Sequence, residues 1–167
     1  WLSIMGCARD FAAFENIKLK YPLSSTNKLS KVKPSEMVEI TVNSPHVRRF
    51  NTRLVKNIKV AESPDWLKDR LTAYGIKSIN NVVDITNYVM VEIGQPMHAQ
   101  DTAKLIKREI TIRAATKGEK IKTILGTTVS LDPDIFVLSS GGVGTVIGGI
   151  VGGIDTSVTK DTTEIIL

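Results

Sequence analysis

Apolar residues recur at helical spacing at the start of the chain. Ile4, Cys7, Ala8, Phe11 and Ala12, widened by Met5 and Phe14, predict a helix over Leu2–Glu15 with Cys7 on its apolar stripe. The run from Tyr21 to Glu36 then carries two prolines, five serines or threonines and little periodicity, so it reads as an exposed linker. Val38, Ile40 and Val42 alternate with Glu39 and Thr41, as a half-buried strand over Met37–Val42 would require. A second strand is predicted over Thr52–Val60. Ser63-Pro64-Asp65 then reads as a helix start, with Ser63 as N-cap, Pro64 in the first turn and an acid behind it. Trp66, Leu67, Leu71 and Tyr74 supply that helix's apolar face, and Gly75 sits where a left-handed cap belongs.

The stretch Asn81–Ile93 is rich in β-branched residues, yet Val82, Ile85, Thr86, Val89 and Ile93 fall at helical spacing. Asn81 with Asp84 looks like an N-cap and an acid in the first turn, and Gly94 and Pro96 stop the pattern, so it reads as a helix. Beyond it the periodicity is that of strands: Glu109–Ala114, Lys120–Ile124, Thr128–Leu131, Ile135–Leu138, Thr145–Ile150 and Glu164–Leu167, punctuated by Gly126, Asp132-Pro133 and Gly141-Gly142. Helices early and strands late make an α+β chain. The expected organisation is a helical segment over 1–20, a linker over 21–36 and a core over 37–167. The start at Trp1, inside a helical pattern, points to a longer parent chain.

Composition changes this picture little. The 167 residues suffice for a hydrophobic core without staples. The single cysteine, Cys7, cannot form an internal disulfide, and no secretory signal is visible, so a cytoplasmic setting is expected. The most apolar run, Gly141–Ile154, is short of a membrane span and broken by glycines. Charge is more informative. The net +5 is uneven: Asn16–Lys77 holds 13 Lys and Arg against 5 Asp and Glu, or +8, leaving −3 elsewhere. Such a basic half either draws in a nucleic-acid backbone or is an ordinary solvated surface.

Candidate chemistry is sparse. GQPMHAQD, residues 94–101, places Gln95, His98 and Asp101 together; the imidazole is either a pocket base, acid or hydrogen-bond partner, or a structural histidine. His46 lies in SPHVRR with no Cys or carboxylate at ligand spacing, so no metal is expected. IGGIVGG, Ile147–Gly153, is neither a Walker loop nor a dinucleotide fingerprint. Its glycines serve either close approach to a ligand or a bend after a strand. Cys7 on an apolar stripe is expected in the core rather than as a nucleophile, and no Gly-X-Ser-X-Gly elbow occurs. Lys77 either complements a helix C-terminus or contacts phosphate.

The motif from Gly75 to Asp101, GIKSINNVVDITNYVMVEIGQPMHAQD, resembles the tRNA-editing region of bacterial phenylalanyl-tRNA synthetase β subunits. The likeness continues in WLSIMGCARDFAAF, in SPDWLKDRL, and in IGGIVGG followed by VTKDTTEIIL, so it spans nearly everything but the linker. The resemblance implies mixed and antiparallel sheets with flanking helices, and a site that hydrolyses tyrosine wrongly esterified to tRNA(Phe). In that site His98 and Pro96 would line the pocket, Gly152 would form its wall, and Lys77 would replace a family arginine, keeping the charge but losing the planar fork. Gln100 stands where the family usually has an aromatic. The family's glutamate for the tyrosine hydroxyl would follow Leu167. The implied partners are tRNA(Phe) and the synthetase α subunit. No cofactor is expected in this piece, ATP and magnesium belonging to the catalytic subunit.

Overall fold

A computed structural model describes residues 3–21, 33 and 36–167. The linker expected over 21–36 falls outside this set except for Tyr21, Lys33 and Glu36. The chain forms two compact units, one from Trp1–Lys33 with Ala61–Met97, the other from Pro34–Val60 with His98–Leu167.

The first unit is helical. Helix α1 spans Ile4–Phe14, α2 Asp65–Ala73 and α3 Asn81–Ile93, and both α1 and α2 pack on α3. Helix α1 begins at Ser3, whose side chain accepts the Gly6 N–H at 2.9 Å. Its stripe is not a core stripe: Ala12 is buried, whereas Ile4 and Phe11 are exposed. Cys7 is exposed too, which corrects its expected burial. In α2 the buried residues are Leu67 and Leu71, while Trp66 and Tyr74 lie on the surface. Trp66 meets Tyr88 of α3 edge-on at 5.6 Å, with the Arg70 guanidinium over both rings. After Tyr74 the helix closes as a Schellman motif: Gly75 takes φ +89°, its N–H donates to Thr72 O, and Ile76 N–H donates to Leu71 O.

Two expected caps are displaced. Ser63 does not cap α2; Pro64 occupies that place with no side-chain bond. Ser63 is instead buried and donates to Asp84 Oδ2 at 2.5 Å. Helix α3 is capped by Asn80 rather than Asn81, its Oδ1 accepting from Val82 and Val83 N–H. Asp84, fully buried, therefore serves a different purpose from a first-turn acid at the surface. Its carboxylate also accepts Ser78 Oγ at 2.5 Å, the Ile79 N–H at 2.9 Å and the Asn80 N–H. Burial pushes its pKa up, but these donors outweigh burial and hold it below the usual range.

The second unit is built from strands. They are β1 Glu39–Asn43, β2 Leu54–Lys56, β3 Gln100–Asp101, β4 Glu109–Ala114, β5 Glu119–Lys122, β6 Thr128–Leu131, β7 Phe136–Ser140, β8 Val143–Ile147, β9 Val151–Gly152 and β10 Glu164–Ile166. The main sheet has the order β1-β4-β7-β8-β9, parallel between β1 and β4 and antiparallel elsewhere. A three-stranded sheet, β2-β10-β3, and the hairpin β5-β6 complete it. The second predicted strand shrinks to Leu54–Lys56, and Asn57 turns the chain with φ +56°.

The main sheet is apolar on both faces, as alternation along a strand permits. In β7, Leu138 joins Ile110, Ile112, Val146, Ile166 and Leu105 in one core, while its neighbour Val137 joins Ile121, Leu131, Ile147 and Ala115 in another. Val47 and Phe50 pack on the first core and so fasten the basic stretch around them. The α+β architecture with mixed and antiparallel sheets agrees with the expectation. No described helix is long and apolar enough to cross a membrane.

Candidate functional site

The last two glycines of IGGIVGG, Gly152 and Gly153, are explained by what lies against them. A Cβ on Gly152 would stand 2.3 Å from His98 Cε1 and 2.7 Å from Nε2, closer than real carbon contacts come. The imidazole is therefore seated directly on the glycine backbone. A Cβ on Gly153 would meet the Thr145 carbonyl oxygen at 2.4 Å, so the second glycine lets β9 lie close to β8. Gly152 is held on both sides, facing Val146 in the β8–β9 ladder and accepting the Ile124 N–H through its carbonyl at 2.9 Å.

His98 is half-buried, and its Nε2 is shut off from solvent without a hydrogen-bond partner. Burial lowers its pKa, because an imidazolium there would lose hydration. Near neutrality the ring is uncharged and one nitrogen is a free acceptor. A half-buried neutral imidazole can order a water or take a proton from it.

The rest of HAQD fixes the chain around the ring. Asp101 accepts the Thr162 hydroxyl at 2.6 Å and the Ala103 N–H at 3.0 Å, capping a short 3₁₀ turn. Gln100 is buried, and its Oε1 lies 3.2 Å from Thr145 Oγ1 and 3.0 Å from Thr156 Oγ1. Thr145 and Thr156 escape sequence reading, since isolated threonines carry no motif.

Of the four residues singled out by resemblance, the second unit brings His98 and Gly152 together. Pro96 and Lys77 belong to the first unit. Pro96 is exposed, its carbonyl accepting Gln95 Nε2 at 3.1 Å. Lys77 is exposed on an open depression formed with Thr72, Gly75, Ile76 and Ser78. The loop that presents it is held from behind by Asp84 through Ser78 and Ile79. His46 lies exposed on a turn. Among the described residues no three His, Cys, Asp or Glu side chains are grouped as a metal site.

The basic run Asn16–Lys77 is divided between the two units, and its middle part lies in the second. From Ser44 to Val60 the chain holds five Lys and Arg and no Asp or Glu, and Arg48, Arg49 and Arg53 are exposed.

The mixed-sheet fold belongs to a known class: the B3/4 domain matches residues 46–167, and the chain is a member of that family. Over nearly its full length the chain is also similar to curated phenylalanine–tRNA ligase β subunits. It is 42% identical over 165 residues to that of Fusobacterium nucleatum, 39% over 170 residues to that of Clostridium acetobutylicum and 37% over 166 residues to that of Clostridium tetani. These alignments take in 98–99% of this chain and 20–21% of each relative, so the chain spans about a fifth of the relatives' length. The resemblance drawn from the motif Gly75–Asp101 is borne out.

Proposed function

We propose that this chain is the editing region of a phenylalanine–tRNA ligase β subunit and hydrolyses tyrosine wrongly esterified to tRNA(Phe). The observation that carries the reading is the neutral His98 imidazole seated on Gly152 with its Nε2 shut off from solvent.

The chemistry asks little of the protein. An aminoacyl ester is activated, so a positioned water suffices and no covalent intermediate is needed. The water oxygen attacks the ester carbonyl carbon, and the bond from that carbon to the ribose oxygen breaks. The water's proton passes by way of His98 or solvent to the departing ribose oxygen, leaving free tyrosine and intact tRNA. Gly152 forms the wall against which the His98 ring lies. Lys77 contacts the tRNA end as a point charge. The exposed arginines of Ser44–Val60 add long-range attraction for the tRNA backbone. In the assembled enzyme the partners are tRNA(Phe) and the α subunit, which carries the ATP and magnesium chemistry.

Selectivity comes from a second sieve. A pocket for phenylalanine rejects an isostere with one added hydroxyl only by about 10²-fold. A site with buried polar partners for that hydroxyl leaves them unpaired when phenylalanine enters, at about 1–3 kcal/mol each. Tyrosyl-tRNA is then cut and the correct product spared.

The deciding experiment follows hydrolysis of tyrosyl-tRNA(Phe) and phenylalanyl-tRNA(Phe) by the β subunit carrying this sequence, assembled with its α subunit. Selective loss of tyrosine supports editing. Equal, slow loss of both esters would replace that reading with an architectural, tRNA-guiding module.

A further inference from the structure

We infer that Gln100 is a positioning residue for the His98–Gly152 contact, holding the strand that follows the histidine against the hairpin that bears the glycine through the hydroxyls of Thr145 and Thr156. This deepens the editing reading of the same site and rests on it.

His98 and Gly152 lie 54 positions apart on separate elements, so their contact depends on how β3 meets β8 and β9. Backbone pairing alone ties β3 to β10, with Gln100 opposite Ile166. Beside one backbone bond from Asp101 to Thr156, just past the glycine hairpin, the link from β3 to β8 of that hairpin runs through the Gln100 side chain. Gln100, 3% exposed and two residues after His98, receives Thr145 Oγ1 from β8 at 3.2 Å and Thr156 Oγ1 at 3.0 Å. Both threonines are themselves fastened to the elements in question. Thr145 accepts the Gly153 N–H through its carbonyl at 2.8 Å, next to the Val146–Gly152 pair. Thr156 accepts the Asp101 N–H through its carbonyl at 2.9 Å. The Thr145 hydroxyl proton is shared between Gln100 Oε1 and the Leu138 carbonyl at 3.1 Å, which extends the cluster to β7.

A buried amide joined to two buried hydroxyls resists sliding, because any shift that opens these bonds strands polar atoms away from water. An apolar side chain would fill the space without that penalty and leave the histidine strand free to move over the hairpin. Gln100 stays at a distance from the reacting atoms; its effect on them runs through the placement of His98.

The test has two readouts. The first is the NOE between the His98 ring Hε1 and the Gly152 Hα in the 167-residue chain; with only two histidines, the ring signals are readily assigned. The second is deacylation of tyrosyl-tRNA(Phe) by the assembled enzyme. Gln100→Met should abolish the NOE while leaving the amide spectrum folded. It should also lower kcat for deacylation roughly tenfold or more with KM little changed, as a sub-ångström misplacement would. Thr156→Val should act in the same direction, and it decides the matter by the same NOE if Gln100→Met does not fold. An NOE that survives the substitution overturns the inference. Absence of deacylation in the unsubstituted enzyme would overturn the editing reading, and the NOE would still decide whether Gln100 sets the contact.

Discussion

The ring of His98 occupies the volume that a side chain on Gly152 would need, with Cε1 only 2.3 Å from the position of a Cβ there. Gly152 has no positive φ, so alanine is acceptable to the backbone and only the ring objects. Gly152→Ala should destabilise the protein by about 1–3 kcal/mol through overpacking. The double variant Gly152→Ala/His98→Ala should regain part of that loss, since the obstacle is gone. Chemical denaturation of the four proteins in the cycle checks this. Simple additivity would mean that the two residues do not compete for space.

Burial holds the His98 pKa below its ordinary value, and the sign of its linkage to folding follows. The unfolded chain, with an imidazole pKa of about 6.5, binds the proton more tightly than the folded one. The cost of folding is absent above that pH and grows as pH falls from about 6.5 to the lower folded value. Relative to His98→Gln, the unsubstituted protein should lose stability across that window and match the variant's trend above it. Parallel denaturation series at stepped pH values measure the difference. In the assembled enzyme, His98→Ala should let tyrosyl-tRNA accumulate, and unchanged deacylation would remove His98 from the mechanism.

Arg113 and Glu119 form a two-pronged pair, Nη1 to Oε2 at 2.9 Å and Nη2 to Oε1 at 2.8 Å, and the N–H groups of Thr116 and Gly144 also donate to the carboxylate. Chiefly through the Arg113 hydrogen bonds, the Glu119 pKa falls to about 2. A depressed carboxylate stabilises the fold above its unfolded pKa of about 4.3 and loses that contribution as pH drops towards the folded value. Glu119→Gln should therefore cost about 1–3 kcal/mol near neutrality and progressively less below pH about 4. Thermal unfolding at several pH values would expose a gap that fails to close.

Asp84 gathers Ser63, Ser78 and the Ile79 amide around one buried carboxylate. Asp84→Ala leaves these donors unpaired and should destabilise the first unit by about 3 kcal/mol or more. The milder Asp84→Asn should free the loop behind Lys77 first. Hydrogen exchange at Ile79 should then quicken well before α2 and α3 lose protection.

Local pattern sufficed for some elements and failed for others, for identifiable reasons. Strands β4 and β6 are legible to the residue because their alternation matches the pleat, and α3 is legible because helical spacing outweighs its β-branched content. Strands β3 and β9, two residues each, exist only by virtue of their partners, and two residues have no period to read. Ser63 looked like a cap because the cap signature is local, yet a buried carboxylate 21 positions away claimed its hydroxyl. Cys7 lies on a regular apolar stripe but is exposed in the folded chain. For the site, His98 and Gly152 could each be marked by composition and resemblance. Their contact, and the Gln100–Thr145–Thr156 cluster beneath it, arises from strand order, which periodicity does not encode.

The alternation of the two compact units along the chain bears on how such a module can be inherited or engineered. The boundaries fall at Lys33/Pro34, Val60/Ala61 and Met97/His98, so each unit is assembled from two separated stretches. No terminal deletion removes one unit and spares the other, and no single uninterrupted coding segment specifies either alone. A graft into another chain must carry the whole interleaved stretch, with recombination breakpoints confined to its flanks.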